Sequence, residues 1–274
     1  SSGKTVEDGI AIIGMSGRFP GADTVDQMWQ NLLDGKETTS FFKDDEIDPF
    51  IDASVKNDPY YVKARGVISN ADKFDAGFFA VNPRLAELMD PQQRVFLEVC
   101  WEALENSGYT AASYQGLIGV YAGMGNNTYY TNNVIHHKEA IERVGSFQVM
   151  VANEKDYIAT RISHVMNLTG PGLSIHTACS TSLTAVATAC QSLWNKQCDM
   201  AIAGGIAITS PVNSGHIYQE GGMFSEDGHT RSFDAGARGT VFSDGSGVVI
   251  LKRYKEALAD GDTIYAVIRG VGVN

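Results

Sequence analysis

The sequence has 274 residues, of which 43% are hydrophobic and 19% charged, and its formal net charge is -11 at pH 7. This composition is typical of a globular protein and excludes a disordered or collagen-like chain. A nucleic-acid surface needs a basic face, and an acidic protein binds anionic membranes poorly, so we expect neither nucleic acid nor a membrane among the partners. A local basic patch could still bind an acidic protein.

Targeting and redox features agree with a cytoplasmic location. No run of about 18 uncharged apolar residues occurs, and the N-terminus, SSGKTVEDG, lacks the basic and then apolar layout of a signal peptide. The cysteines form no CxxC pair, which indicates a reduced compartment, and neither they nor the acidic pairs have the spacing of a metal site. They are Cys100, Cys179, Cys190 and Cys198.

The first third of the chain predicts a buried strand over 9–14 and then a helix over 24–35 that ends at Gly35. Its apolar side chains at helical spacing are Met28, Trp29, Leu32 and Leu33. Residues 41–70 show little hydrophobic periodicity, which indicates a long irregular segment on the surface. A long helix then begins at Pro91, whose ring suits a first helical position, and its apolar stripe makes Cys100 a core residue.

The remaining two thirds alternate strands with helices. The helices are expected at 154–167 and directly after Cys179, and the strands at 117–124, 172–178, 200–208, 247–253 and 263–273. This alternation predicts an α/β architecture with a largely buried sheet. Neither an internal repeat nor a low-complexity linker is visible, so we treat 1–274 as one domain.

The stretch HTACSTSLTAVATAC, which begins at His176, places Cys179 where a strand gives way to a helix. A thiol at the first helical position lies beside unpaired N–H groups and the positive end of the helix dipole, which favour the thiolate. Ser180, Thr181 and Ser182 are capping-type residues, and the alanines that follow allow close packing. The alternative is core filling, common for free cysteines, and it is the interpretation we give to Cys190 and Cys198.

Six blocks along the chain decide between these interpretations. They are IAIIGMSGRFPGA, MDPQQRVFLEVCWEALENSGY, GVYAGMGNN, GPGLSIHTACSTSLTAVATACQSL, CDMAIAGG and FSEDGHTRSFDAGARGTVFSDGSGVVILKR. In this order they resemble the β-ketoacyl synthase (ketosynthase) domains of modular polyketide synthases, which belong to the thiolase superfamily. The resemblance implies a thiolase-like α/β fold, layered α-β-α-β-α, of which this chain is the N-terminal portion with a buried mixed sheet.

The resemblance also implies a reaction. Cys179 would accept an acyl group from a carrier-protein thioester, with its backbone N–H in the oxyanion hole. A malonyl-type unit on an acyl carrier protein would then lose CO₂ and attack the bound acyl group. The domain itself would bind no cofactor, since its substrates are carried on the phosphopantetheine of the carrier protein. Further expected partners are neighbouring polyketide synthase domains and a second copy in a homodimer.

The family's two further histidines, in HGTGT and GH contexts, have no counterpart here. The six histidines are His136, His137, His164, His176, His216 and His229. We therefore expect residues 1–274 to be the nucleophile-bearing N-terminal part of a ketosynthase, with the part that carries the catalytic histidines missing, and to be inactive in condensation by themselves. His176 is interpreted as structural rather than as a substitute base.

Three residues match stretches that line the acyl pocket of relatives: Met124, Met150 and Tyr218. Ordinary core packing is the alternative for each of them. Two alternatives to the condensing enzyme also remain at this point. One is a non-elongating ketosynthase that docks or transacylates carriers, and the other is a cysteine hydrolase, which the missing GxSxG-type spacing disfavours. The glycine-rich stretches fit no nucleotide-binding motif.

Overall fold

Strands and helices alternate along residues 8–274, the part of the chain that the computed structural model describes. The strands are β1 (Ile10–Arg18), β2 (Ser40–Phe41), β3 (Tyr61–Val62), β4 (Ala64–Arg65), β5 (Ile118–Met124), β6 (Gly172–Ser174), β7 (Met200–Ala207), β8 (His216–Ile217), β9 (Gly245–Arg253) and β10 (Ala266–Ile268). The helices are α1 (Val25–Leu33), α2 (Ala53–Lys56), α3 (Pro83–Leu88), α4 (Pro91–Asn106), α5 (Thr128–Asn132), α6 (Lys138–Val144), α7 (Ser146–Val151), α8 (Ile158–Val165), α9 (Thr181–Trp194) and α10 (Tyr254–Asp260).

One mixed sheet of six strands organises the fold, in the order β10-β1-β9-β7-β5-β6. β5 runs parallel to both of its neighbours, β6 and β7, whereas the other pairs in this sheet are antiparallel. Two small ladders, β2 with β4 and β3 with β8, lie outside this sheet. The three parallel strands therefore end at the same edge of the sheet, which is the edge that carries the candidate site.

Side chains on successive residues of β5 point to opposite faces of the sheet and so build two cores. Val120 and Ala122 join the core under α4 and α8, whereas Tyr121 between them joins the core under α9. All seven residues of β5 are buried, because helices cover both faces. The result is a three-layer α-β-α arrangement, part of the α-β-α-β-α layering that the resemblance implies. The α/β class with a mixed sheet is confirmed.

Helix boundaries follow from capping chemistry. The side chains of Thr24 and Asp90 accept hydrogen bonds from backbone N–H groups at the starts of α1 and α4, and Pro91 occupies the first helical position of α4. Gly35 has a φ of 61°, in the left-handed region that ends helices readily. These starts and stops agree with the predicted helices. No helix within residues 8–274 is both long enough and apolar enough to cross a bilayer.

Several predictions about extent were wrong. β6 and β10 are each three residues long, much shorter than 172–178 and 263–273, whereas β1 continues to Arg18 through a bulge. Within the predicted irregular surface segment, Ala64 and Arg65 are buried because β4 pairs with β2. The pattern also missed the short helices, which have too few turns for a clear period. These are α2, α3, α5, α6, α7 and α10.

The apolar side chains of α1 do not enter a core. Trp29, Leu32 and Leu33 are exposed by 59%, 63% and 62%, and no residue of this helix is fully buried. The helical spacing identified the element correctly. The spacing could not show whether another element covers the apolar face of α1. Hydrophobic periodicity indicates that a helix is amphipathic, but it does not identify the element that packs against the apolar face.

Candidate active site

The carboxyl ends of β5, β6 and β7 meet at one edge of the sheet. Ligand sites of open α/β sheets occur at this edge. β6 ends at Ser174, and α9 begins at Thr181 on the face of the sheet opposite to α4. Cys179 lies in the connection between them, so the structure places the predicted nucleophile at the edge where chemistry is expected.

Exposure separates Cys179 from the other cysteines. Cys179 is exposed, whereas Cys100, Cys190 and Cys198 have no accessible surface. Burial raises the pKa of the Cys100 thiol well above its ordinary value, so that thiol stays protonated. The prediction that these three are core residues is confirmed. Within residues 8–274, Cys179 is the cysteine that a reagent or substrate can reach.

Cys179 belongs to a tight turn and not to α9 itself. It is the middle residue of a single 3₁₀ turn, Ala178–Ser180, and the α-helix begins two residues later. The expectation that it is the first residue of the helix is therefore wrong by two positions. Ser180 occupies the N-cap position, but its side chain accepts no hydrogen bond from the helix. The expected capping is missing because this hydroxyl points back towards the turn.

Close backbone approach fixes this turn against the sheet. A Cβ atom on Gly123, near the end of β5, would overlap the carbonyl oxygen of Ile175 and Cγ2 of Thr181. A Cβ on Gly205 of β7 would lie 3.4 Å from Cβ of Ser182. Glycine is therefore required at Gly123, because only the absent side chain leaves room for the segment that carries Cys179.

His176 lies three residues before Cys179 in the sequence. Partial burial and the neighbouring Lys155 ammonium lower the pKa of His176 below its ordinary value, although Asp156 acts in the opposite direction. Within residues 8–274 no hydrogen bond joins the His176 ring to Cys179. The geometry thus offers no base for the thiol at this position. No group of three or more His, Cys, Asp or Glu side chains in the same residues could hold a metal ion.

A family model confirms the assignment that the cysteine turn suggests. Residues 7–257 match the family described as "Beta-ketoacyl synthase, N-terminal domain". This match covers most of the chain, including β1, α4, the Cys179 turn and β9. The chain belongs to the β-ketoacyl synthase family.

Relatives place the chain among polyketide synthases. It is 43% identical, over 98% of its length, to one of the phenolphthiocerol/phthiocerol polyketide synthase proteins of Mycobacterium tuberculosis. It is 38% identical, again over 98% of its length, to the polyketide synthase PksL of Bacillus subtilis. The chain spans only 18% and 6% of these two proteins. It therefore matches one segment of each of these much longer proteins.

Solved structures agree with the fold. Ketosynthase twelve of the bacillaene polyketide synthase from Bacillus amyloliquefaciens superposes with a TM-score of 0.87 at 34% identity, covering 98% of this chain and 46% of that one. The module 1 ketosynthase of the same synthase gives 0.81 at 33% identity, covering 97% and 46%. The thiolase-like fold is thereby confirmed, and the chain spans about half of each solved ketosynthase. Nothing in these comparisons favours the non-elongating alternative.

The three predicted acyl-pocket residues lie on separate elements. Met124 is the last residue of β5, and its side chain packs in the core under α4 and α8 with 5% exposure. Met150 lies on α7 and is 37% exposed, and Tyr218 is half-buried just after β8. Within residues 8–274 no hydrogen bond joins these three residues to one another or to Cys179. Their place in a pocket stays a prediction, and Met124 has the surroundings of a core residue.

Sequence reasoning missed the residue that links two of the edge loops. Gln92, in the first turn of α4, is fully buried, and its Oε1 accepts hydrogen bonds from the N–H groups of Gly125 and Ile208, at 2.8 and 3.3 Å. Its Nε2 donates to the carbonyl oxygen of Asn126 at 3.1 Å. The segments that follow β5 and β7 are thus tied to one amide. The available signal was a polar pair, Gln92 and Gln93, just before the apolar stripe of a helix that the sequence predicts to be in the core.

Proposed function

We propose that this chain is the nucleophile-bearing part of a polyketide ketosynthase and that Cys179 is its acyl acceptor. The observation that carries the proposal is the exposure of Cys179 in a tight turn at the carboxyl edge of the parallel strands, while the other three cysteines are buried. The start of α9 beside the turn provides the positive end of a helix dipole, which suits a thiolate and a developing oxyanion.

The half-reaction assigned to these residues is acyl transfer. The Cys179 thiolate attacks the carbonyl carbon of a carrier-bound thioester and forms a new C–S bond. The tetrahedral intermediate collapses by breaking the old C–S bond, and the carrier thiolate leaves and takes up the proton that the cysteine thiol gave up. The Cys179 N–H would donate a hydrogen bond to the carbonyl oxygen as its charge develops. The covalent acyl-enzyme divides one hard condensation into two easier steps.

The carbon–carbon bond is proposed for the complete ketosynthase, of which this chain spans about half. A malonyl-type unit, carried on the phosphopantetheine of an acyl carrier protein, loses CO₂, and the resulting carbanion attacks the acyl carbon on Cys179. The cysteine thiolate is released and a β-ketoacyl carrier is formed. The family uses two histidines in HGTGT and GH contexts here, and none of the six histidines of this chain has such a context.

The proposed partners are an acyl carrier protein, neighbouring polyketide synthase domains and a second copy of the chain, in the cytoplasm. Two features support the second copy. β6 is an edge strand of the sheet, so one side of its backbone has no strand partner within residues 8–274. Leu173 on β6 and Leu183 on α9 are exposed by 47% and 75% on either side of the nucleophile turn. Both features are expected at a self-complementary interface.

The test is to incubate the chain with an acyl thioester and to locate the adduct by peptide mass spectrometry. We expect the acyl group on Cys179, its loss in Cys179→Ala, and its retention in Cys190→Ala, a matched change on α9 at a buried thiol. Adduct at Cys100, Cys190 or Cys198, or an undiminished yield in Cys179→Ala, would contradict the assignment. Light scattering tests the dimer, and a mass equal to one chain would contradict it.

A further inference from the structure

Four residues with hydroxyl side chains flank the nucleophile turn. Three of these hydroxyls bond to one another, and the fourth accepts a hydrogen bond from a backbone N–H. Thr177 Oγ1 donates to Thr184 Oγ1 at 3.1 Å, and Ser180 Oγ lies 2.9 Å from both Thr177 Oγ1 and the Thr177 carbonyl oxygen. The backbone N–H of Thr177 donates to Oγ1 of Thr181 at 2.9 Å. We call these four residues the hydroxyl ring. It joins the residue before the turn to the first turn of α9.

The turn inside this ring has an unfavourable backbone conformation. Ala178, directly before Cys179, has a φ of 54°, in the left-handed region. An L-residue other than glycine, asparagine or aspartate costs about 1–2 kcal/mol there, because its Cβ atom crowds the neighbouring carbonyl. Such a conformation persists only when the surroundings hold it in place. The hydrogen bonds of the hydroxyl ring join Thr177, directly before Ala178, to residues that follow Cys179, so they can hold this conformation.

Burial does not explain these hydrogen bonds. Thr177 and Ser180 are exposed, and Thr181 and Thr184 are half-buried, so water could satisfy most of these hydroxyls. Ser180 also occupies the N-cap position of α9, where a serine normally accepts a bond from the helix, and here it does not. By contrast Thr188, one turn after Thr184, donates only to the Thr184 carbonyl of its own helix, at 2.8 Å. The ring thus differs from ordinary helix chemistry.

We propose that Thr177 and Thr184 are positioning residues for Cys179. The proposal rests on the proposed function, in which Cys179 is the nucleophile. The hydroxyl of Thr177 is the centre of the ring, since it bonds to both Ser180 and Thr184. Without it Ala178 relaxes towards the right-handed region, and the Cys179 thiol turns away from the approach of a thioester. The four residues act through the backbone, since none of the hydrogen bonds that define the ring involves Cys179.

Two reactions of Cys179 separate positioning from simple reactivity. Alkylation by iodoacetamide needs an accessible thiolate, because this small reagent can approach from many directions. Acylation by the acetyl thioester of N-acetylcysteamine also needs a thiol aligned with a carbonyl and an oxyanion donor. The ratio of acylation rate to alkylation rate therefore reports alignment. A merely structural role would change both rates together and would lower the melting temperature.

The experiment uses the chain as it exists, with Thr177→Val and Thr184→Val as the test variants. Loss of one or two hydrogen bonds should lower the acylation-to-alkylation ratio about tenfold in each, with little change in melting temperature. Thr177→Ser and Thr184→Ser keep the hydroxyl and should restore the ratio. Thr188→Val, a matched change on the same helix, should leave it unchanged.

Three results would overturn the proposal: an unchanged ratio in both valine variants, an equal fall in Thr188→Val, or an equal fall in the serine variants. If one valine variant fails to fold, the other still decides the matter. Cys179→Ala is the blank for both reactions. If acylation persists in that blank, the proposed function fails, whereas a clean blank with unchanged valine variants refutes only the role of the hydroxyl ring.

Discussion

α4 and α9 begin at the same edge of the sheet on opposite faces, and the two starts differ in almost every polar contact. At α4 the fully buried Asp90 accepts the Gln92 N–H at 2.8 Å, and the Gln92 amide bonds to the loops after β5 and β7. At α9 the serine at the N-cap position caps nothing, and Cys179 beside it is exposed. One helix start satisfies its own donors. The other leaves the Cys179 thiol accessible.

This contrast predicts that stability depends mainly on the α4 start. Gln92→Met keeps the length of the side chain, but it removes the buried acceptor of the Ile208 N–H. It also removes one of the two partners of the Gly125 N–H and one of the two partners of the Asn126 carbonyl oxygen. We expect the free energy of unfolding in urea to fall by about 4 kcal/mol, since a buried group left unpaired costs about 1–3 kcal/mol and each further hydrogen bond contributes about 0.5–1.5 kcal/mol.

A glutamine on the protein surface gives the matched control. Gln30 on α1 bonds only to the exposed Asp34, so Gln30→Met should change the free energy of unfolding by less than about 0.5 kcal/mol. An equal fall in the free energy of unfolding of the two variants would mean that the buried hydrogen bonds of Gln92 stabilise the fold no more than the exposed one of Gln30. The alkylation rate of Cys179 in the folded Gln92→Met protein should stay close to that of the parent.

The reverse case is a change that affects the α9 start. In Gly123→Ala the new Cβ would overlap the Ile175 carbonyl oxygen and Thr181, so the segment that carries Cys179 must move. We expect a loss of about 3 kcal/mol in stability, as for overpacked cores, together with slower acylation of Cys179. Gly247→Ala on β9 is the control, because its Cβ would meet no atom within 4 Å. Slower acylation in both variants would contradict the argument.

The buried start of α4 should also respond to pH. Burial raises the pKa of Asp90 to about 6 from 3.8, so the native state binds a proton more tightly than the unfolded state. Such a group stabilises the native state below the unfolded pKa, and that stabilisation is lost as pH rises through the folded pKa. Asp90→Asn removes the charge. Between pH 4 and 6.5 the unfolding free energy of the variant should therefore improve relative to the parent by on the order of 1–3 kcal/mol.

An exposed cap should behave in the opposite way. Hydrogen bonds from Ser54 lower the pKa of Asp52, the N-cap residue of α2, so its contribution to stability is present above the unfolded pKa and is lost as pH falls. The free energy of unfolding of Asp52→Asn should accordingly fall relative to that of the parent as pH rises. Denaturant titrations check the two signs, between pH 4 and 6.5 for Asp90→Asn and around and below the ordinary carboxyl pKa of 3.8 for Asp52→Asn. The same sign for both would show that burial of Asp90 is not the cause.

The difference between the two helix starts also marks the limit of sequence reasoning. The α4 start could be read from Asp-Pro before an apolar stripe, and the placement of Cys179 from a short apolar run that leads into small residues. The left-handed Ala178 and the uncapped Ser180 could not, because Ala and Ser carry no local signal for these conformations. The buried role of Gln92 depends on loops more than 30 residues away in the chain. Hydrogen bonds between residues so distant in the chain produce no periodic pattern in the sequence.

The smallest effect is expected from His176, although it is the histidine nearest to Cys179 in sequence. Partial burial and Lys155 keep its pKa below the ordinary value, which disfavours the positively charged ring that would stabilise a thiolate. His176→Gln should therefore change the alkylation rate of Cys179 by less than about twofold and leave its pH midpoint in place. Lys155→Met should raise the His176 pKa in an NMR titration, again with the Cys179 midpoint unchanged. A shift of that midpoint in either variant would make His176 a partner of the nucleophile, and the α9 start would then resemble the α4 start in relying on a neighbouring side chain.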